Sequence, residues 1–122
     1  MLRIITTNVN GIRAAERKGF FDWLKTQDAD IVCLQEIKAQ EDQLDDKFYP
    51  NNYHVYYNPA EKKGYSGTAI FSKQKPDIVE KSLWDDFNFE GRFLQANFKD
   101  LSIISIYIPS GSSKEERQVF KM

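Results

Sequence analysis

Apolar and polar positions along the chain follow two rhythms, short apolar runs suited to strands and one stretch at helical spacing. Arg3-Ile4-Ile5-Thr6-Thr7 reads as a first strand and ends in the polar turn Asn8-Val9-Asn10-Gly11. Phe20, Trp23 and Leu24 then recur at helical spacing and predict an amphipathic helix from about Gly19 to Thr26. Gln27-Asp28-Ala29-Asp30 turns the chain into the apolar run Ile31-Val32-Cys33-Leu34, which closes in Gln35-Glu36. Strand, helix and strand in this order make a β-α-β unit, whose strands are expected to be parallel or near neighbours.

Ala39 to Lys47 is polar and acidic, with Glu41, Asp42, Asp45 and Asp46, and reads as a short surface helix or loop. Tyr53 to Tyr57 has strand-forming residues that Asn58-Pro59 breaks. Lys62-Lys63-Gly64-Tyr65-Ser66-Gly67 predicts a tight loop at the start of a strand over Thr68-Ala69-Ile70-Phe71, which Lys73-Gln74-Lys75-Pro76 ends. Arg92 to Phe98 and Leu101 to Ile108 are separated only by Lys99-Asp100, the pattern of a β-hairpin with a two-residue turn. Alternation there puts Ile104, Ile106 and Ile108 on one face and Ile103, Ser105 and Tyr107 on the other, with Tyr107 near a strand end. Ser112-Ser113-Lys114-Glu115-Glu116 contains Ser-x-x-Glu twice, a capping box, and Val119 and Phe120 continue as the apolar side of a helix that stops at Met122. The chain is therefore expected to be the front part of a longer protein.

With 122 residues there is room for one domain at most, and the 41% hydrophobic and 29% charged fractions exclude disordered and collagen-like classes. A net charge of −1 gives no general attraction to a polyanion, so any nucleic-acid contact must come from local patches. The lone Cys33 lies inside an apolar strand and reads as a small buried hydrophobe in a reducing setting. Neither a secretory signal nor a run of about 20 apolar residues is present, and the expectation is a soluble cytoplasmic protein with no membrane partner.

Glu36 is the most informative position. A carboxylate directly after an apolar strand needs a partner for its charge, and a divalent cation is among the best. Asn8 and Asn10 bring further oxygen ligands to the end of the first strand. Taken singly, these features have ordinary explanations as a rim residue and a turn.

Their order is more specific. Asn8-Val9-Asn10-Gly11-Ile12-Arg13, Leu34-Gln35-Glu36-Ile37-Lys38, Lys63-Gly64-Tyr65-Ser66-Gly67, Glu90-Gly91-Arg92 and Tyr107-Ile108-Pro109-Ser110-Gly111 follow one another along the chain. In this order they resemble the N-terminal part of exonuclease III-type apurinic/apyrimidinic endonucleases, members of the endonuclease/exonuclease/phosphatase superfamily. The resemblance implies an α/β fold, the N-terminal portion of a four-layer α/β sandwich of two packed mixed sheets flanked by helices, with the second half missing. Residues 1–122 would be part of a single domain, cut within a helix after Ser113. It also implies a Mg²⁺-dependent phosphodiesterase, with Mn²⁺ as the alternative metal, acting on duplex DNA with abasic sites or 3′ termini. Position by position, Glu36 matches the metal-ligating glutamate and Tyr107 the active-site tyrosine near the scissile phosphate. Asn8 matches the asparagine that supports the metal and the active-site network, and so counts among both the metal and the catalytic residues. Asn10 stands where some relatives have an aspartate. Arg92, Lys38 and Tyr65 are the expected substrate-binding residues, with Arg13, Lys62 and Lys63 as further phosphate contacts.

The same resemblance leads one to expect a Gly-Asp-x-Asn and a Ser-Asp-His segment beyond Met122, supplying the water-activating aspartate and the histidine. His54, the single histidine, reads as structural or exposed. The chain alone is thus expected to have little nuclease activity, and its missing C-terminal half is an expected partner. Its strands are expected to supply mainly one sheet, leaving Phe98, Ile104 and Ile106 wetted. The alternatives are a sister enzyme acting on RNA or lipid headgroups, and a non-enzymatic DNA- or partner-binding chain.

Overall fold

A computed structural model describes residues 2–61, 64–81 and 91–108. The chain runs through β1 (Ile4–Asn8), α1 (Ile12–Arg17), α2 (Phe20–Gln27) and β2 (Ile31–Gln35). Two 3-10 turns at Glu41–Gln43 and Asp46–Phe48 follow, then β3 (His54–Asn58), β4 (Thr68–Ser72), β5 (Ile78–Glu80), β6 (Phe93–Phe98) and β7 (Leu101–Ile106). One sheet has the order β1-β2-β4-β3 and the other β5-β6-β7. The β-α-β reading is met, because β1 and β2 pair in parallel, while β4 runs antiparallel to both of its neighbours. Lys99-Asp100 forms the expected turn between β6 and β7.

The chain builds both sheets, which corrects the expectation that it supplies mainly one. The physical reason lies in β2 and β4. Ile31 to Leu34 and all five residues of β4 are buried, so these central strands are apolar on both faces and need a cover on each. On one side Val32, Leu34, Ala69 and Phe71 pack with Ile12 of α1, Leu24 of α2, Ile37, Phe48 and Tyr57. On the other, Ile31, Cys33 and Ile70 pack against Leu94 and Ala96 of β6, with Tyr56, Val79, Phe98 and Ile103 around them. The result is three layers, helices over a mixed sheet over an antiparallel sheet.

Phe98 belongs to this inner cluster, so the expectation that it is wetted is also corrected. It shares a strand face with Leu94 and Ala96, opposite to the face that carries Ile104 and Ile106 of the paired strand. Those two isoleucines are exposed as expected, together with Ile78. Cys33 is buried, and that burial pushes its thiol up to about 11, so it stays a protonated small hydrophobe. The helix expected after Ser113 lies outside the described residues.

Candidate active site at one end of the sandwich

Four strand ends of the mixed sheet fall in one row. Asn8 pairs with Gln35, Gln35 with Thr68, and Thr68 with Asn58. Glu36 follows this row directly. The second sheet presents the start of β6 and the end of β7 to the same end, where Asn58 Nδ2 donates to the Phe93 carbonyl at 2.7 Å. There the Tyr107 amide donates to the Arg92 carbonyl at 2.8 Å, so these two predicted site residues are neighbours across the strand pair.

Glu36 and Lys38 both have left-handed backbones, with φ of 53° and 51°, flanking the fully buried Ile37. Such conformations cost about 1 kcal/mol or more each and persist only where the surroundings fix them. Here they are fixed from two sides. The amides of Gly11 and Ile12 donate to the carbonyls of Glu36 (2.8 Å) and Ile37 (2.9 Å). The amides of Ile37 and Lys38 donate to the carbonyls of Gly67 (3.2 Å) and Ser66 (2.8 Å). Three motifs distant in sequence are thereby stitched into one rim.

Gly67 is the tightest point of that rim. Its φ is 91°, and a Cβ there would lie 2.5 Å from Ile37 Cγ1. Gly67→Ala should push Ile37 away and displace Glu36 with it. The expected result is a loss of divalent-cation affinity of about tenfold with a stability loss of about 1–3 kcal/mol, read by Mn²⁺ titration and urea unfolding of the same sample. Unchanged affinity would show that the rim does not position Glu36. Gly91 has a comparable role before Arg92, because a Cβ would lie 2.6 Å from the Asn58 carbonyl oxygen.

The Glu36 carboxylate is held at both oxygens. Asn8 Nδ2 donates to Oε2, and Lys38 Nζ lies 3.4 Å from Oε1. Asn8 Oδ1 accepts from the Asn10 amide at 2.9 Å, and Lys38 Nζ donates to Asn10 Oδ1 at 2.7 Å. Asn8, Asn10, Glu36 and Lys38 therefore form one closed network. Its Asn8 amide turns nitrogen toward the carboxylate, which suits a supporting role. No group of three or more His, Cys, Asp or Glu side chains gathers among the described residues. Mg²⁺ is nonetheless commonly held by one or two carboxylates and several waters. A partly exposed carboxylate that already attracts an ammonium group fits such a hydrated cation.

The remaining predicted residues surround this network. Tyr65 is exposed on the Gly64–Gly67 loop, and Arg92 and Tyr107 are half-buried. Arg13, Arg17 and Lys38 line a shallow depression of about 390 Å³ with Gly11 and Gly64, a local basic patch on a nearly neutral chain. Lys62 and Lys63 lie outside the described residues. His54 is exposed at the start of β3 and pairs with Ser72, at the other end of the sheet and about 13 Å by strand rise from the Asn58 row. A roomier depression of about 440 Å³ lies between α2 and the turn at 46–53, lined by Phe21, Lys25 and Tyr49. It shares no residue with the Glu36 network. Sequence reasoning missed Arg17, Gln35 and Ser105. The alternation that puts Ile31 and Cys33 between the sheets also puts Gln35 there, and this was the available signal.

Residues 5–118 match the Endonuclease/Exonuclease/phosphatase family. The chain is 43% identical over 123 residues to an exodeoxyribonuclease of Bacillus subtilis (strain 168), covering 99% of this chain and 48% of that protein. It is 36% identical to the DNA repair nuclease APEX1 of Danio rerio, covering 91% of this chain and 37% of that one. Among solved structures, an AP endonuclease from Archaeoglobus fulgidus superposes with a TM-score of 0.80 at 33% identity, over 98% of this chain and 46% of that one. The Xenopus laevis APE2 catalytic domain superposes with a TM-score of 0.78 at 30% identity, over 98% of this chain and 49% of that one. The chain thus spans about half the length, or less, of these relatives. A family match over nearly all of its residues, on a fold whose described motif residues meet at one end, shows that the chain belongs to the Endonuclease/Exonuclease/phosphatase family.

Proposed function

We propose that this chain supplies the N-terminal half of a Mg²⁺-dependent phosphodiesterase that cleaves duplex DNA at abasic sites and trims 3′ ends, in the cytoplasm. The observation that carries this reading is the Glu36 carboxylate, fixed by four backbone hydrogen bonds around residues 36–38 and oriented by Asn8. Bound there, a divalent cation would offset the negative charge that builds on phosphate oxygens during hydrolysis. Glu36 is its ligand in this reading, and Asn8 holds the carboxylate. Lys38, Arg13 and Arg92 attract the DNA backbone through local positive charge, while Tyr107 and Tyr65 meet the phosphate and the flanking nucleotides. His54 is too far from Glu36 to move a proton at this end, and the family resemblance implies that the proton-transfer groups come from the C-terminal half.

The test uses the complete protein and a duplex containing a tetrahydrofuran abasic analogue. Cleavage with Mg²⁺, abolished by EDTA and restored by Mg²⁺ or Mn²⁺, is the expected result. A protein that left this duplex intact but cut RNA or released phosphate from a lipid headgroup would overturn the proposal.

A further inference from the structure

Between the two sheets Ile31, Cys33 and Ile70 face Leu94 and Ala96, and buried polar side chains stand toward the ends of this layer, Ser72 at the far end and Ser105 at the end that carries Glu36 and Tyr107. There Ser105, 1% exposed, donates its hydroxyl to the Leu34 carbonyl at 3.0 Å and accepts from Gln35 Nε2 at 3.1 Å. Gln35 Nε2 also reaches Thr6 Oγ1 at 3.2 Å, which ties β1 into the same link. The inward neighbours of Ser105 are Leu94, Ala96 and Ile103, so an apolar residue would suit this position as well. Replacing both partners of a buried hydrogen bond by apolar groups is often close to neutral in stability, so stability alone does not explain the pair. Directionality does. Apolar contact between sheets is non-directional and fixes their sliding only loosely, whereas a hydrogen bond fixes one point of one sheet on one point of the other.

The two points are well chosen. Gln35 immediately precedes Glu36, and Ser105 stands two residues before Tyr107 on the same strand face. We propose that Gln35 and Ser105 are a positioning pair, a cross-sheet clamp that sets the separation of Glu36 from Tyr107. As a statement about catalysis this rests on the reading that both residues serve one phosphodiester. An error of about 1 Å between reacting groups costs up to about a hundredfold in rate, so the clamp sits where small movement matters.

Ser105→Ala, Gln35→Met and the double variant test it in the complete protein. Each single change should lower kcat about tenfold with KM within about threefold, and the double variant should lose clearly less than the product of the two single losses, because both remove the Gln35–Ser105 bond, while only Ser105→Ala also removes the bond to the Leu34 carbonyl and only Gln35→Met the one to Thr6. Amide hydrogen exchange gives a readout that does not depend on activity. The amides of Val9, Gly11 and Tyr107, which hold the site end, should exchange about tenfold faster, while the Lys73 amide, bonded to the Asp30 carbonyl at the far end, keeps its wild-type rate. A uniform rise, no rise, or wild-type kcat in an active enzyme would overturn the clamp. A wild-type protein that cut no DNA, with variants that still loosened only the site end, would overturn the nuclease reading and leave the clamp standing. Gln35 is only partly buried, so Gln35→Met keeps the test open should Ser105→Ala fail to fold.

Discussion

Glu36→Gln in the complete protein should lower Mg²⁺-dependent DNA cleavage by about three orders of magnitude, equivalent to about 4 kcal/mol of lost transition-state stabilisation. Glutamine keeps the size of the side chain and an oxygen that can accept from Asn8 Nδ2, so the rim should keep its shape. What goes is the negative charge that now attracts Lys38 and that, in the proposed function, attracts the divalent cation. The lost pair with Lys38 is partly exposed and is worth at most about 1 kcal/mol, so thermal unfolding should shift by only a few degrees. Single-turnover cleavage beside a melting curve separates the two effects. Activity within tenfold of wild type, with an intact fold, would remove Glu36 from the metal site.

Phe71→Ala should destabilise the fold by about 3–5 kcal/mol, a large part of the 5–15 kcal/mol that typically holds a domain together. Phe71 is fully buried in β4, beneath the helical layer. Its ring lies nearly parallel to Phe21 at 6.2 Å and edge-on to Tyr57 at 5.7 Å, with Tyr53 tilted at 6.1 Å. Truncation removes the shared member of three ring contacts on elements too rigid to close the gap. Urea unfolding measures the loss, and Ile104→Ala, on the exposed outer face, is the control expected to stay within about 1 kcal/mol. Equal losses for the two would mean that the helical layer does not pack on β4 as described.

The sequence made local features readable wherever one residue's chemistry contradicted its surroundings. A carboxylate closing the apolar run at Ile31 announced Glu36, and Lys99-Asp100 between two strand-like runs announced the hairpin. The division into two sheets was less legible. Burial on both faces of β2 and β4 demands two covers, but which elements provide them is decided by tertiary packing. Phe98 was misplaced for the same reason, since alternation gives two faces without saying which is inward. The helix α1 is six residues long with Ile12 as its one buried residue, too little for a helical stripe, and β5 has only three residues. At the site, the left-handed backbones of Glu36 and Lys38 carry no glycine to mark them. The Lys38–Asn10 link and the Gln35–Ser105 bridge join residues far apart in sequence, which local pattern cannot pair.

Amide NMR of the complete protein during a Mn²⁺ titration bears most directly on whether this end of the sandwich is a metal site. The resonances of Asn8, Asn10, Glu36 and Lys38 should broaden first, at metal concentrations that leave Glu41 to Asp46 sharp, and Glu36→Gln should abolish that selectivity. Broadening centred on the acidic stretch from Glu41 to Asp46, with Glu36 untouched, would contradict it.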